Sequence, residues 1–201
     1  MLHLKNALSH DQQLRLVEMC RDIARVNPFI TPVMPSGHKF NCSMNSCGRV
    51  AWTSDIKGYR YSDRQPDGSA LPPMPEPLIK LAKHIANLVD EPNYRPDTCL
   101  INHYQANSRS KLGLHQDNSE FNLKPAIISI SIGDDCEFAI GGNKRSDPLQ
   151  TIILRSGDII VLHGESRLAY HAVKRIIPNT SPKGLLKSNG RLNLTIRQVY
   201  D

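Results

Sequence analysis

The triplet His115-Gln116-Asp117 directly follows a short apolar run at 112–114. In a strand, residues i and i+2 point to one face, so an imidazole and a carboxylate address the same point at the strand's end. Two histidines and one carboxylate with the opposite side open form the facial triad of non-haem iron(II) oxygenases. A third ligand is then required. His171 lies in the apolar segment 168–173, and His163, at the end of the segment 157–162, competes with it. An isolated His-x-Asp is common, so the triplet by itself leaves the metal open.

A second chemical signal lies near the C-terminus, in Arg191-Leu-Asn-Leu-Thr-Ile-Arg197. The spacing is even, so in one strand Arg191, Asn193 and Arg197 share a face and Leu192, Leu194 and Ile196 share the other. Charges turned into a barrel need partners. A small dicarboxylate would supply them, because guanidinium binds carboxylate bidentately. Alternation alone equally allows a solvated face on an edge strand.

The elements that must carry these residues fall into two halves. Residues 9–26 predict an amphipathic helix, with Ser9 as N-cap, Gln12 completing a capping box and Leu14, Val17, Met19, Ile23 and Val26 as apolar face. Pro28 stops it. Residues 29–48 read as loops and short strands. Residues 49–53 and 59–62 predict two strands about a turn ending in Gly58. Residues 64–77 are loop, and 77–89 predict a second helix. From residue 96 the pattern changes to eight short apolar segments separated by Gly, Pro, Asn, Asp and Ser: 98–104, 112–115, 126–132, 137–140, 151–154, 158–162, 168–173 and 192–198. Such spacing predicts a β-sandwich or barrel. One domain over 1–201 is expected, its first part about 1–95 and its β core about 96–201.

The chain has 201 residues, 39% hydrophobic and 22% charged, with net charge +6. The charge is compatible with a polyanionic partner without requiring one. Five scattered cysteines, with no Cys-x-x-Cys, read as reduced thiols and argue against a zinc ribbon. No apolar run approaches the roughly 20 residues of a membrane span, and no secretory signal is evident. The expected location is cytoplasmic, with no membrane partner, and the expected state is a monomer.

These motifs together resemble the AlkB family of nucleic-acid dealkylation dioxygenases. The resemblance is carried by Cys99-Leu-Ile-Asn-His-Tyr104, Leu114-His-Gln-Asp117, Gly141-Gly-Asn-Lys-Arg-Ser-Asp-Pro148, Gly164-Glu-Ser-Arg-Leu-Ala-Tyr-His171 and Arg191-Leu-Asn-Leu-Thr-Ile-Arg197. Cys47-Gly-Arg-Val-Ala-Trp-Thr53 and Gly58-Tyr-Arg-Tyr-Ser62 extend it into the first half. It implies a mainly β fold: a double-stranded β-helix, or jelly-roll, core preceded by helices and a nucleotide-recognition lid. It implies that His115, Asp117 and His171 bind Fe(II), and that Asn102, Tyr104, Arg191, Asn193 and Arg197 bind 2-oxoglutarate, with O2 as cosubstrate. The implied reaction is oxidative dealkylation of bases such as 1-methyladenine and 3-methylcytosine. It is coupled to decarboxylation of 2-oxoglutarate to succinate and CO2, with formaldehyde released from methyl lesions.

On the substrate side, the partner implied is alkylated single-stranded DNA or RNA. A base must leave its stack to be reached. The resemblance makes Trp52 the stacking residue opposite His115, although a lone Trp is commonly a core residue. It makes Tyr59 and Arg145 phosphate contacts. Two departures stand out. Ser119 occupies a position where the family often has Asp, and Ala169 one where an aromatic is frequent. Both predict altered lesion preference, Ala169 through a larger pocket. The rival functions are a dioxygenase of the same fold acting on a protein or small molecule, which would not need Trp52, Tyr59 and Arg145, and a non-catalytic nucleic-acid-binding module.

Overall fold

The computed structural model describes residues 1–201 apart from Pro66 and Ser108. After strand β1 (Leu2–Leu4), helix α1 covers His10–Val26. Its start is fixed by the expected capping box: the Ser9 hydroxyl accepts from the Gln12 N–H, and the Gln12 side chain accepts from the Ser9 N–H. The buried stripe is Gln13, Leu16, Val17, Cys20 and Ile23. Leu14 and Val26, assigned to the apolar face from the sequence, are exposed. The stripe is rotated because Gln13 turns inward, donating to the Leu8 carbonyl and accepting from the Ser156 hydroxyl. Helix α2 covers Glu76–Asn87 and buries Leu78, Ala82, Ile85 and Ala86. Pro77 sits in its first turn, where a missing N–H costs nothing.

The first half also holds strand β2 (Ser43–Gly48) and the hairpin β3 (Ala51–Asp55) and β4 (Gly58–Ser62), which pairs Trp52 with Tyr61. The hairpin departs from β2 through Gly48, at φ +120°, where a Cβ would meet the Asp97 carbonyl oxygen at 2.3 Å. Only glycine satisfies both conditions.

The second half supplies β5 (Thr98–Gln105), β6 (Leu112–His115), β7 (Ile127–Gly133), β8 (Asp135–Ile140), β9 (Gln150–Leu154), β10 (Ile159–Leu162), β11 (His171–Ile177) and β12 (Gly190–Arg197). All eight predicted strands are present. One is displaced: residues 168–170 are not strand but follow a 3-10 turn at Gly164–Ser166, so His171 opens β11 instead of lying within it. The strands form antiparallel sheets, one six-stranded in the order β1-β10-β7-β12-β5-β2 and one four-stranded in the order β6-β11-β8-β9. This is the expected mainly β, jelly-roll architecture, with β1 and β2 from the first half completing the large sheet.

Two apolar clusters hold these layers. One joins α1 and α2 to the outer face of the large sheet through Cys99, Ile101, Leu192, Leu194 and Ile196. The other lies between the sheets and includes Leu100, Tyr104, Ile127, Phe138, Leu154, Ile160 and Val173. Each fully buried large aliphatic side chain contributes about 1.5–3 kcal/mol. Because β5 and β12 alternate strictly, packing Leu192, Leu194 and Ile196 under the helices turns Arg191, Asn193 and Thr195 into the space between the sheets.

Candidate active site

β6 and β11 are antiparallel neighbours in which His115 and His171 are register partners. Their ring centroids are 4.3 Å apart. Asp117, two residues past His115, completes the group, and one ligand atom from each of the three lies within 4.8 Å of the others. Among the described residues this is the only such cluster of metal-ligating side chains, and it excludes His163. Both rings are oriented from behind. His115 Nδ1 lies 2.7 Å from the Gly113 carbonyl oxygen and His171 Nδ1 2.9 Å from that of Ala169. A carbonyl only accepts, so each Nδ1 carries a proton and Nε2 is the nitrogen left for a metal.

The protonation states suit a cation. Burial pushes the His171 imidazolium down to about 4, helped by the neighbouring His115, so the ring is neutral near pH 7. Burial alone would raise the Asp117 carboxyl, but Arg197, His171 and His115 outweigh it and hold the group ionised, well below the usual carboxylate range. Two imidazoles and one carboxylate are a donor set suited to Fe(II).

β12 lies between β5 and β7 in the centre of the large sheet, so Arg191 and Arg197 are not on a solvated edge. Arg191 is 1% exposed and Arg197 5%. Arg191 pairs in register with Tyr104, and Asn193 with Asn102. The five residues implied for 2-oxoglutarate thus lie on two neighbouring strands, and all of them line one cavity of about 600 Å³ together with His115, Asp117 and His171. The arginines are held but not saturated. Arg191 donates to the Ser131 hydroxyl at 2.7 Å and to the Asp134 carbonyl at 3.2 Å. Arg197 donates to Asp117 at 2.7 Å. Arg191 Nε, Arg197 Nη1 and Asn102 Oδ1 are buried without a partner. Unmatched buried guanidinium donors are costly, and the carboxylates of a dicarboxylate would satisfy them.

Trp52, Tyr59, Ser119 and Arg145 line the same cavity. Trp52 is half-buried, stacked on Tyr59 at 5.4 Å and 21°, and edge-on to Phe40. Arg145 donates to the Leu114 carbonyl at 3.0 Å and lies over the Tyr170 ring. Ala169 is elsewhere. It is buried in the apolar cluster between the sheets and is not among the lining residues.

Several contributors were not singled out from the sequence. Ser129 and Ser131 hold Asn193 and Arg191. They were legible in principle, as the alternating hydroxyls of Ile-Ile-Ser-Ile-Ser-Ile. Glu120 and Arg167 form a buried ion pair at 3.2 Å, and Glu120 also meets Arg197 Nε at 3.3 Å and accepts from the Tyr61 hydroxyl at 2.6 Å. This network backs Asp117 and ties the hairpin to it. No local pattern announces it, because its members lie on separate elements.

Residues 1–197 match the family model of the 2OG-Fe(II) oxygenase superfamily. The alpha-ketoglutarate-dependent dioxygenase AlkB of Escherichia coli is 38% identical over 92% of this chain and 84% of that protein. An Arabidopsis thaliana protein named DNA N(6)-methyladenine demethylase ALKBH1D is 36% identical over 98% of this chain and 49% of its own length. The solved structure of OsALKBH1 superposes with a TM-score of 0.84 at 34% identity, covering 98% of this chain and 97% of that one. Fe(II), 2-oxoglutarate and O2 are the family's cofactor and cosubstrates, and the site's donor set and unmatched guanidinium groups fit the first two. The chain therefore belongs to the AlkB family of Fe(II)- and 2-oxoglutarate-dependent dioxygenases.

Proposed function

We propose that this enzyme removes alkyl groups oxidatively from N-alkylated bases of single-stranded DNA or RNA, a direct reversal of alkylation. The observation that carries the reading is the composition of one cavity. Its lining brings together Arg191, Asn193, Asn102 and Tyr104, the His115–Asp117–His171 cluster, the aromatic hairpin residues Trp52 and Tyr59, and the cation Arg145. A dioxygenase acting on a small molecule has no need of that hairpin and cation.

In this reading His115 Nε2, Asp117 and His171 Nε2 would hold Fe(II). Arg191 with Asn193 would bind the distal carboxylate of 2-oxoglutarate, and Asn102, Tyr104 and Arg197 would make its other contacts. When bound, the metal and 2-oxoglutarate supply O2 activation coupled to decarboxylation. The protein's residues do the rest. Ser131 and the Asp134 carbonyl aim Arg191, while Arg167 donates to the Asp117 backbone carbonyl at 2.8 Å and fixes the turn carrying the ligand. The β3–β4 hairpin serves as the lid, receiving an unstacked base against Trp52. Tyr59 and Arg145 meet the phosphates, and Ser119 addresses the base edge. The balance for a methyl lesion is one O2 and one 2-oxoglutarate consumed, with one succinate, one CO2 and one formaldehyde formed and N–CH3 converted to N–H.

We further infer that the chain works as one dioxygenase domain, 1–201, as a monomer in the cytoplasm. Its five cysteines are free and buried, as suits a reducing compartment. Among the described residues no helix is long and apolar enough to cross a membrane.

The test is formaldehyde release from 3-methylcytosine or 1-methyladenine in a single-stranded oligonucleotide, run beside methylated peptides. Release from the oligonucleotide that disappears in Asp117→Ala supports the reading. Turnover stimulated only by the peptides contradicts it.

A further inference from the structure

Phe121 is the most exposed large apolar side chain among the described residues, at 76%. A single exposed apolar side chain needs no explanation. This one is packed on one side: its ring lies on Tyr200 at 5.2 Å and 12°, close to parallel. The Arg49 guanidinium also lies over the Tyr200 ring, 4.4 Å from its centre. Arg49 is itself exposed and is fixed by Asp97 at 3.3 Å. Two rings and a guanidinium therefore make one layered surface with much of the Phe121 ring open to solvent.

Its position joins it to the active site from two sides. Asp117, Asn118 and Ser119 line the cavity. Glu120 is pinned in the interior by Arg167 and Tyr61. The next residue outward is Phe121, whose Cα lies within ~7 Å of that of Ser119 by chain length alone. Arg49 stands two residues before the hairpin strand that carries Trp52, and its Cα lies within ~11 Å of that of Trp52 on the same ground. The nearby charges are mixed: Arg49 and Lys124 are positive, Asp97 is engaged with Arg49, and the Asp201 carboxylate accepts from the Asn122 side chain. An exposed flat ring with an adjacent guanidinium is how single-stranded nucleic acid is held without sequence readout, each base offering a π-face.

We propose that Phe121, backed by Tyr200 and Arg49, is a second stacking platform that receives a base neighbouring the one held in the cavity, with Arg49 close enough to meet the adjoining phosphate. This rests on the nucleic-acid reading above. The platform fixes the register of the strand and favours oligonucleotides over isolated nucleotides, because a base with no neighbour cannot reach it.

The experiment compares wild type, Phe121→Ala, Phe121→Trp and Arg49→Met. Affinity is measured by fluorescence anisotropy for a single-stranded oligonucleotide with one central 3-methylcytosine, and by competition for the corresponding methylated mononucleotide. Phe121→Ala is expected to weaken oligonucleotide binding about tenfold, the scale of one base stacked on one aromatic side chain. The mononucleotide should be unaffected, and Phe121→Trp should retain wild-type affinity. A 2-aminopurine placed beside the lesion, on one side or the other, should be quenched on binding and recover in Phe121→Ala. Equal oligonucleotide affinity in wild type and Phe121→Ala overturns the platform while leaving the nucleic-acid reading intact. So does an equal loss for both ligands, which would mark a disturbed cavity. A concentration-dependent dimer abolished by Phe121→Ala would assign the surface to self-association instead. Wild-type protein that neither binds nor turns over the oligonucleotide would sink the nucleic-acid reading itself.

Discussion

Glu120→Gln isolates the network that supports the proposed metal ligand. The Glu120 side chain is 2% exposed and stands between two guanidinium groups, Arg167 at 3.2 Å and Arg197 at 3.3 Å. Glutamine keeps the shape and one acceptor for the Tyr61 hydroxyl but removes the charge. Arg167 would then retain only the carbonyl oxygens of Pro125 and Asp117, and the Asp117 carboxylate alone would face two buried cations. Removing one partner of a buried pair costs about 3–5 kcal/mol, chiefly because the other charge stays buried without compensation. Arg197 keeps Asp117, which places the expected loss near the lower end, about 3 kcal/mol. For a chain of this length that lowers Tm by about 6–12 °C.

The assay is urea unfolding of the metal-free protein, with Tm as a second measure. A loss under about 1 kcal/mol would refute the reasoning, since that is the scale of a solvent-screened surface pair. A double variant sharpens the result. In Glu120→Gln with Arg167→Met the stranded cation is gone, so the double variant should lose less than the sum of the two single losses. Strict additivity would mean that the two groups do not interact as their distance implies.

Other consequences follow from the same geometry. Arg191→Lys loses the forked contact, and 2-oxoglutarate affinity by titration calorimetry of the metal-loaded protein should fall about 10- to 100-fold, the scale of a hydrogen bond to a charged group. An unchanged affinity would remove Arg191 from the cosubstrate site. The imidazole of His171 is depressed from 6.5 to about 4, so the unfolded chain binds the extra proton first. The metal-free protein should therefore lose stability as pH falls from about 6.5 to about 4, and His171→Gln should flatten that slope in a pH series of melts. Ser119→Asp places a carboxylate in the cavity lining and should raise kcat/KM for cationic 3-methylcytosine relative to neutral ethenoadenine in competition. An unchanged ratio would detach Ser119 from lesion choice.

What could be read from the sequence followed from periodicity. Even spacing put Arg191, Asn193 and Arg197 on one face, and the fold adds the reason: Leu192, Leu194 and Ile196 are claimed by α1 and α2, which leaves the polar set no other direction. The capping box at Ser9 was equally local. The failures are tertiary. The stripe of α1 turned because Gln13 found partners in Leu8 and Ser156, the latter distant in sequence. His171 fell at the mouth of β11 because the 3-10 turn consumes residues 164–166. Ala169 was singled out from the family pattern, and it lies in the turn ahead of β11, which begins only at His171. Glu120, Arg167 and Tyr61 come from a loop, a turn and a hairpin, so only the folded chain brings them together.

The central claim is that one cavity couples 2-oxoglutarate decarboxylation to dealkylation of a base. Its most direct test is stoichiometry in a single reaction: succinate, formaldehyde and restored cytosine quantified together by mass spectrometry, with a 3-methylcytosine oligonucleotide, 2-oxoglutarate, Fe(II) and O2. The account predicts equal amounts of all three products, and none of the restored base in His171→Ala. Succinate formed at the same rate with and without the lesion, and no restored cytosine, would contradict it.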